Sequence, residues 1–315
     1  MNQSNESFSV VIPTYNHADF LRDALQSVIN QNHSLWEAIV IDNHSSDHTD
    51  QVIKSFNDPR ITVHKINNNG VIGASRNLGI KLANYDWIAF LDSDDIWYPE
   101  KLSEVCKFLS TNTKYDVIST DEFKVFHHNE KKKLLYYGPL PKDAYKFMLC
   151  YGNRLSPSAT VVKKSLLIDH NIYFNESIDF ITVEDYDFWL NLAFARARFK
   201  FIPSIQGEYL VHLSNNSGRE DIHSKNNEYL LWHHVFNIQT FTKDKEKLWN
   251  KIMCRIEIHK ALSLLSKKRF LQSFNLIIRI FISSPINFVL YFIQRLSIYL
   301  RKYFSYITYK LSEFI

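Results

Sequence analysis

The sequence predicts an α/β protein with a mostly parallel central sheet followed by a helical region, on three observations. Apolar runs of strand length alternate with amphipathic runs of helix length from Phe8 to Asp95. Three of the strand-like runs end in polar or acidic residues, at Thr14 and Asn16, at Asp42, and at Asp92 to Asp95. Beyond Asn226 the pattern turns to long basic helices. Alternating strands and helices require right-handed crossovers and a mostly parallel sheet, and such sheets bind ligands beyond the carboxyl ends of their strands. Three polar strand ends on one rim therefore mark a site.

Phe8 to Ile12 reads as a short buried strand, stopped by Pro13 and followed by Thr14-Tyr15-Asn16. Phe20, Leu21, Ala24, Leu25, Val28 and Ile29 share one helix face, and Asn30-Gln31-Asn32 ends that helix. Glu37 to Asp42 is a second strand, and Asn43 to Asp47 is turn chemistry before a helix that starts near Asp47 or Thr49. Ile61 to Ile66 is a third strand, Asn67 to Gly70 a loop, and Gly73 to Ala83 a helix. The central strand, Trp87 to Leu91, comes next, with Pro99 and Glu100 as the following helix start. Asp116 to Thr120 and Phe123 to Phe126 read as separate strands, His127 to Lys133 as a charged loop, and Ser158 to Val162 as a further strand. Phe174 to Thr182 is a loop leading to Glu184-Asp185-Tyr186-Asp187, acids that suit the positive end of a helix with Phe188, Trp189, Leu192 and Ala195 on its apolar face.

A chain of 315 residues with ordinary apolar and charged fractions has ample material for a core and is not expected to be disordered. Cys106, Cys150 and Cys254 are odd in number and widely spaced, which argues against a disulfide framework and a zinc site and fits a reducing compartment. Met1 to Ser7 is polar and runs straight into a strand pattern, so no secretory signal is expected. The net charge of +4 is uneven: from Lys243 onward 14 Lys and Arg face 4 Asp and Glu, a balance of +10 that leaves −6 for residues 1 to 242. The two parts face different partners.

The run from Trp87 to Trp97 is the centre of the chain. It delivers Asp92, Asp94 and Asp95 at a strand end, with only Ser93 between the first two. Adjacent carboxylates repel, so the cluster needs water or a cation. Mg²⁺ or Mn²⁺ is the natural partner, because Mg²⁺ is usually held by one or two carboxylates with substrate phosphates completing the shell. Taken alone, the cluster equally suits a solvated acidic turn capping the next helix. An EF-hand does not fit, since counting from Asp92 its glycine and glutamate places hold Trp97 and Ser103.

Val10-Val11-Ile12-Pro13-Thr14-Tyr15-Asn16, then Val40-Ile41-Asp42 with Ser45 and Asp47, then Phe90 to Asp95, then Glu184-Asp185, resembles the family 2 glycosyltransferases of GT-A fold over residues 8 to 220. The resemblance implies inverting sugar transfer from a nucleotide-diphosphate donor, usually a uridine one. It implies that Asp42 contacts the uracil and that Pro13, Thr14, Tyr15 and Asn16 line the nucleotide pocket, with Arg76 nearby. Asp92-Ser93-Asp94 matches the DxD motif, Asp92 facing the ribose and Asp94 holding Mn²⁺ or Mg²⁺ on the diphosphate. Glu184 and Asp185 match the acidic pair before the acceptor-side helix, with Asp185 as general base. His212 matches a histidine near the diphosphate and is taken as a second metal ligand. The plain alternatives are a surface helix charge for Arg76, a helix cap for Asp185 and a hydrogen-bonded structural residue for His212. The family's common DDxS turn reads Asp42-Asn43-His44-Ser45 here, with the uracil contact on the first acid.

The expected division is a GT-A catalytic domain over 1–225, with a nucleotide-sugar half (1–120) and an acceptor half (121–225), and a basic amphipathic helical tail over 226–315. In the tail, Lys267-Lys268-Arg269 precedes Phe270 to Ile282, Ser283-Ser284-Pro285 breaks the run, and Asn287 to Phe304 resumes it with Arg295, Arg301 and Lys302. Leu276 to Ile293, 18 residues, contains Arg279, Pro285 and Asn287. That is marginal for a span, which needs about 20 mostly apolar residues. Cationic amphipathic helices on an anionic membrane surface fit better, with soluble packing or a true span as alternatives. Long aliphatic stretches between the basic residues argue against a nucleic-acid partner. The sequence thus predicts a cytoplasmic enzyme, peripheral on the inner face of the membrane, that extends a glycan or lipid-linked acceptor in cell-surface polysaccharide synthesis. A nucleotidyltransferase, which has no use for Glu184-Asp185, and a catalytically silent nucleotide-sugar-binding module at the membrane are the alternatives.

Overall fold

Strand β1 (Phe8–Thr14) is buried along its whole length and is the axis on which the first half of the chain is built. The structure is a computed structural model that describes residues 6–126, 131–212 and 220–313. Strands β2 (Trp36–Asp42) and β4 (Trp87–Phe90) flank β1, β3 (Ile61–Lys65) lies outside β2, and all four are parallel. The chain thus winds outward from β1 through β2 to β3 and returns to the other side of β1 as β4. The carboxyl ends of β1 and β4 therefore flank a topological switch point, where an α/β sheet opens a crevice.

Alternate residues of these strands face opposite layers, as the period of two requires. Val10, Ile12, Ala38 and Val40 pack under α1 (Ala18–Ile29) and α4 (Lys101–Thr111), through Leu21, Leu25, Val28, Leu102 and Val105. Val11, Ile39, Ile41 and Phe90 face the other layer, which α3 (Ile72–Leu82) begins. Helix α2 (Thr49–Ser55) packs beside α1. Pro13 does not stop β1, which pairs with β2 as far as Thr14. Asn43 N–H bonds Thr14 C=O on the β2 side and Leu91 N–H bonds Val11 C=O on the β4 side. By alternation Pro13 points toward β4, whose pairing has ended at Val11, so its missing N–H breaks no ladder.

The second half completes a nine-stranded sheet in the order β3-β2-β1-β4-β8-β6-β9-β5. Strand β8 (Thr160–Lys163) is antiparallel to β4 and to β6 (Val117–Phe126), and β9 (Phe199–Val211) is parallel to β6. The short strands β5 (Ile96–Trp97) and β7 (Lys132–Leu135) run antiparallel to β9 and β6. Six of the nine strands thus run in one direction, a mostly parallel sheet as expected.

Three local expectations need correction. The two strands expected at Asp116–Thr120 and Phe123–Phe126 are one strand, because Asp121 and Glu122 are buried within it and bonded by Tyr137. Lys132 and Lys133 belong to β7 rather than to a loop, while residues 127–130 of that expected loop lie outside the described residues. Helices α5 (Ala144–Tyr151) and α6 (Lys164–Asp169) were not foreseen.

Helix α7 (Glu184–Phe194) starts where its acids predict. Helix α8 (Glu220–His233) runs into a π-turn at His234–Ile238, followed by α9 (Lys245–Ser266). Leu230, Leu231, Val235, Leu248 and Ile252 share the core of α5 and α7, so residue 225 falls inside a helix packed on the sheet layer. His234, fully buried, joins Asp187 (Nε2–Oδ1 2.9 Å) to the Tyr145 hydroxyl (3.1 Å). Helices α10 (Phe270–Ser283) and α11 (Pro285–Glu313) add a small cluster around Ile258, Ile280 and Tyr291. They leave Leu271, Phe274, Ile282, Ile286, Ile293 and Leu296 exposed. Pro285 opens α11, a position where its ring is tolerated, and the two helices meet at 111°. Among the described residues no single helix is long and apolar enough to cross a membrane, although this bent pair passes by length and composition together. The side chains of Arg301 and Lys302 lie outside the described residues.

Helix α3 can lie close on β1 because residue 79 has no side chain. A Cβ built on Gly79 meets both methyls of the fully buried Val11, with Cγ2 at 2.9 Å. Gly79→Ala should therefore lower the unfolding free energy by about 1–3 kcal/mol, the usual cost of overpacking. A urea melt showing unchanged or higher stability would contradict this packing.

Candidate active site

One rim of the cavity is assembled by the loops that follow β1 and β2. Asn16 has φ of 51°, a left-handed conformation that asparagine tolerates. Its amide N–H donates to Ser45 Oγ (2.9 Å), and its Oδ1 accepts from the Ser46 N–H (2.7 Å). These bonds tie the two loops together. Thr14 is buried, and its hydroxyl has no protein partner although the residue lines the cavity. Tyr15 is exposed. Asp42 does not reach the cavity wall: the Ser45 amide holds its Oδ1 (3.0 Å) and Lys65 Nζ its Oδ2 (2.6 Å). Asn43 lines the cavity in its place.

The acidic loop after β4 separates its three carboxylates into different tasks. Asp92 takes Arg76 Nη2 at 2.6 Å, and its amide donates to Ser158 Oγ (3.1 Å). Asp95 is buried and accepts from the Ser158 hydroxyl and from the Leu210 N–H (3.0 Å). Burial first, then the charges of Asp94 and Glu122, push its carboxyl well above the usual carboxylate range. Asp95 is thus a brace between the loop, β8 and β9. Asp94 stays on the cavity wall, with Oδ2 2.9 Å from His212 Nε2. His212 stacks on Phe20 with ring centroids 4.4 Å apart, and His17 meets it edge-on at 5.7 Å. His17 Nδ1 lies 3.2 Å from Ser93 Oγ and lines the cavity. His17 and Phe20 carry no motif, and only their positions directly after Asn16 and in the first turn of α1 mark them.

Arg76 is no surface charge. It is 2% exposed on α3, and its guanidinium reaches Glu184 Oε1 at 2.9 Å as well as Asp92. Burial alone would lower its pKa, yet the two carboxylates hold it above its ordinary value. The adjacent Asn77 bonds both backbone groups of Phe174, N–H and C=O, each at 2.9 Å. It thereby fixes the loop leading to α7. At the start of α7, Asp185 lines the cavity, accepting from the Tyr186 N–H (2.7 Å) and from Asn153 Nδ2 (3.0 Å). Burial, reinforced by Glu184 and opposed by Arg76, pushes Asp185 up to about 7. A carboxylate poised near neutrality is the form a general base needs.

One cavity of about 2040 Å³ is lined by every sequence-predicted site residue except Asp42 and His212, and Asp95, Ser158 and Phe20 also lie outside its lining. Ordinary single-ligand pockets are about 300–1,000 Å³. This one has room for two ligands. It runs from Thr14 and Asp94 past Asp185 to Arg255 on α9 and Tyr291 on α11.

Residues 9–162 match the glycosyl transferase family 2 model. The chain is 28% identical over 227 residues to the E. coli UDP-Glc:alpha-D-GlcNAc-diphosphoundecaprenol beta-1,3-glucosyltransferase WfaP, covering 70% of this chain and 85% of that one. It is 36% identical over 103 residues to the putative teichuronic acid biosynthesis glycosyltransferase TuaG of Bacillus subtilis, covering 32% and 41%. In fold it is similar to S. aureus TarS in complex with UDP-GlcNAc, with TM-score 0.63 and 22% identity over 79% of this chain and 72% of that one. It is also similar to the Pyrobaculum calidifontis mannosyltransferase in complex with GDP-Man and Mn²⁺, with TM-score 0.58 and 13% identity over 96% and 84%. The α/β architecture is accordingly GT-A-like.

Arg76→Met should cost about 3–5 kcal/mol of stability, because it leaves Asp92 and Glu184 without their shared partner. A denaturant titration giving a loss below about 1 kcal/mol would show a pair no stronger than a surface one.

Proposed function

The chain belongs to glycosyl transferase family 2 and is a glycosyltransferase; from that premise we propose that it moves a sugar, with inversion, from a UDP-sugar to a hydroxyl of a glycan or lipid-linked acceptor. The observation that carries the reading is that Asp94 and Asp185 lie on the wall of one cavity and are linked through Asp92, Arg76 and Glu184. The relative WfaP carries UDP-Glc and a diphosphoundecaprenol acceptor in its name, which supports the same substrate classes here. The proposed division of labour is a nucleotide-sugar half over 1–120, an acceptor half over 121–225 and a helical region over 226–315.

Pro13, Thr14, Tyr15 and Asn16 bind the nucleotide, with the Thr14 hydroxyl free to meet it. Asp42 acts there by ordering the Asn43 turn through Ser45 and Lys65. Asp92 and Ser93 face the ribose side, and Arg76 holds Asp92 in place. Asp94 and His212 are the residues to hold Mn²⁺ or Mg²⁺. Asp94 on the cavity wall, with the His212 imidazole 2.9 Å from it, suits an ion whose other ligands are substrate phosphates, and among the described residues no larger ligand group exists. When bound, such an ion supplies positive charge for the departing diphosphate. Asp185 removes the proton of the acceptor hydroxyl as that oxygen attacks the anomeric carbon, and one base suffices for a single displacement. Glu184 keeps Arg76 oriented, which steadies both acids. Helices α10 and α11 lie on the membrane surface through their exposed apolar residues, with Lys268 and Arg269 beside them, at the cytoplasmic face.

The test is a panel of nucleotide sugars supplied to the purified protein with Mn²⁺ or with chelator. Metal-dependent release of UDP from one donor, abolished in Asp94→Ala, is expected. Donor binding without turnover on any acceptor would sink the transfer reading. Asp185→Asn should cut transfer by about 10²–10⁴-fold, the range for a general base. Because the base acts unprotonated, kcat/KM in the wild type should fall tenfold per pH unit below about 7 and level off above it. A profile flat from pH 5 to 8 would remove Asp185 from that role.

A further inference from the structure

The far end of the cavity carries three arginines and a histidine that the transfer chemistry leaves unused. Arg154 follows Asn153 in the loop after α5, Arg255 and His259 lie one turn apart on α9, and Arg295 is on α11; all four line the cavity. The chain's other paired arginines meet carboxylates, as Arg60 meets Asp58, Arg198 meets Asp116 and Arg279 meets Glu257. Among the described residues, neither Arg154, Arg255 nor Arg295 has a carboxylate within salt-bridge distance. Arg255 is 5% exposed and its Nη1 has no hydrogen-bond partner; Arg154 Nε, also buried, has none. Buried guanidinium groups without an anion are costly, and such orphaned donors call for a ligand.

The surroundings agree. Arg295 Nη1 donates to the Tyr291 hydroxyl (2.7 Å) and lies 3.3 Å from His259 Nε2. Burial, then the charges of Arg255, Arg295 and Arg154, push His259 down to about 4, so it stays neutral and can accept that bond. Burial, then Arg295, holds Arg154 below its usual range, and no carboxylate offsets either shift. Gly152, at φ of 97°, keeps the floor open: a Cβ there would stand 3.4 Å from Arg255 Nη1.

We propose that Arg154, Arg255 and Arg295 form an anion site for the diphosphate of a lipid-linked acceptor, with the acceptor's sugar toward Asp185 and its lipid toward α10 and α11. Guanidinium forks match phosphate oxygens in pairs, and three of them suit a group with several charges. The lipid is argued from α11 itself, which carries Arg295 into the cavity and presents Ile293 and Leu296 to the outside. The acidic rim at Asp92 and Asp94 repels a second diphosphate at the donor end unless a cation comes with it. The inference rests on the lipid-linked acceptor named under the proposed function and assigns the residues that would recognise it.

Binding of farnesyl diphosphate, below its micelle concentration and with UDP and Mn²⁺ saturating the donor end, tests it by calorimetry. The wild type should bind farnesyl diphosphate and not farnesol, and Arg255→Gln and Arg295→Gln should each weaken binding about tenfold or more, the scale of one charged hydrogen bond. UDP affinity should not change. Should Arg255→Gln fail to fold, Arg295→Gln, whose side chain is exposed, still decides. Unchanged affinity in Arg295→Gln and Arg154→Gln would overturn the site. Inorganic pyrophosphate binding as tightly as farnesyl diphosphate would assign the site to soluble phosphate and overturn the lipid assignment. Because the readout needs no turnover, a protein that binds farnesyl diphosphate through these arginines but transfers no sugar fails the transfer reading alone.

Discussion

The buried guanidinium of Arg76 is the interaction on which the two halves of the site depend. A guanidinium removed from water must be matched by anions in good geometry, and its planar fork accepts two carboxylates at once. Asp92 and Glu184 meet that demand from segments 16 and 108 residues away. The loop after β4 and the start of α7 are therefore held in one register by a single charge. The constraint reaches further through its neighbours on α3. Gly79 lets the helix lie close on Val11, and Asn77 clamps the Phe174 backbone, so the helix that carries Arg76 is fixed to the sheet on one side and to the loop before α7 on the other. Without the cation, Asp92, Asp94, Glu184 and Asp185 would face one cavity with their repulsion uncompensated.

Acids of the same type in one short loop take on different duties because their environments differ. Asp95 is buried, pushed toward its neutral form and locked between Ser158 and Leu210. Asp92 is an ion-pair partner, and Asp94 is left on the wall beside His212. The same sorting separates Glu184, turned inward to Arg76, from Asp185, turned to the cavity. The geometry thus uses three carboxylates to hold two.

How much of this was legible depends on where the compensating partners lie. Most strands and helices from Phe8 to Phe90 were readable because they carry their own apolar pattern, α3 with its buried Arg76 and Asn77 excepted, and the acids at the strand ends mark a rim that any parallel sheet would expose. Strand β6 was not, because Thr120, Asp121 and Glu122 look like a turn. Their burial is balanced by distant groups: Tyr137 for both acids and the fully buried Lys101 at 3.1 Å from Thr120 Oγ1. Burial, opposed by Glu122, lowers Lys101 to about 8, a shift no local pattern reveals. Asp42 was legible as a strand-end acid, but not its capture by Lys65, and Arg76 was legible as a basic residue, but not its complete burial. Residue type is local, whereas solvent access is a property of the whole chain.

The charge asymmetry of the sequence gains a spatial meaning along the cavity. Asp92 and Asp94 follow the carboxyl end of β4, and the arginines without a carboxylate partner among the described residues lie beside Gly152, on α9 and on α11. A cleft acidic at one end and cationic at the other orients anything that carries a diphosphate: with a metal it is drawn to the Asp94 end, and without one to the arginine end. Two diphosphates repel each other, so a transferase working on two such substrates gains from keeping them apart and presenting only sugar to sugar in between. Asp185, anchored by Asn153 one residue from Arg154, stands between those ends. On the proposed reading, the spacing between the two ends would also set which acceptor hydroxyl reaches Asp185.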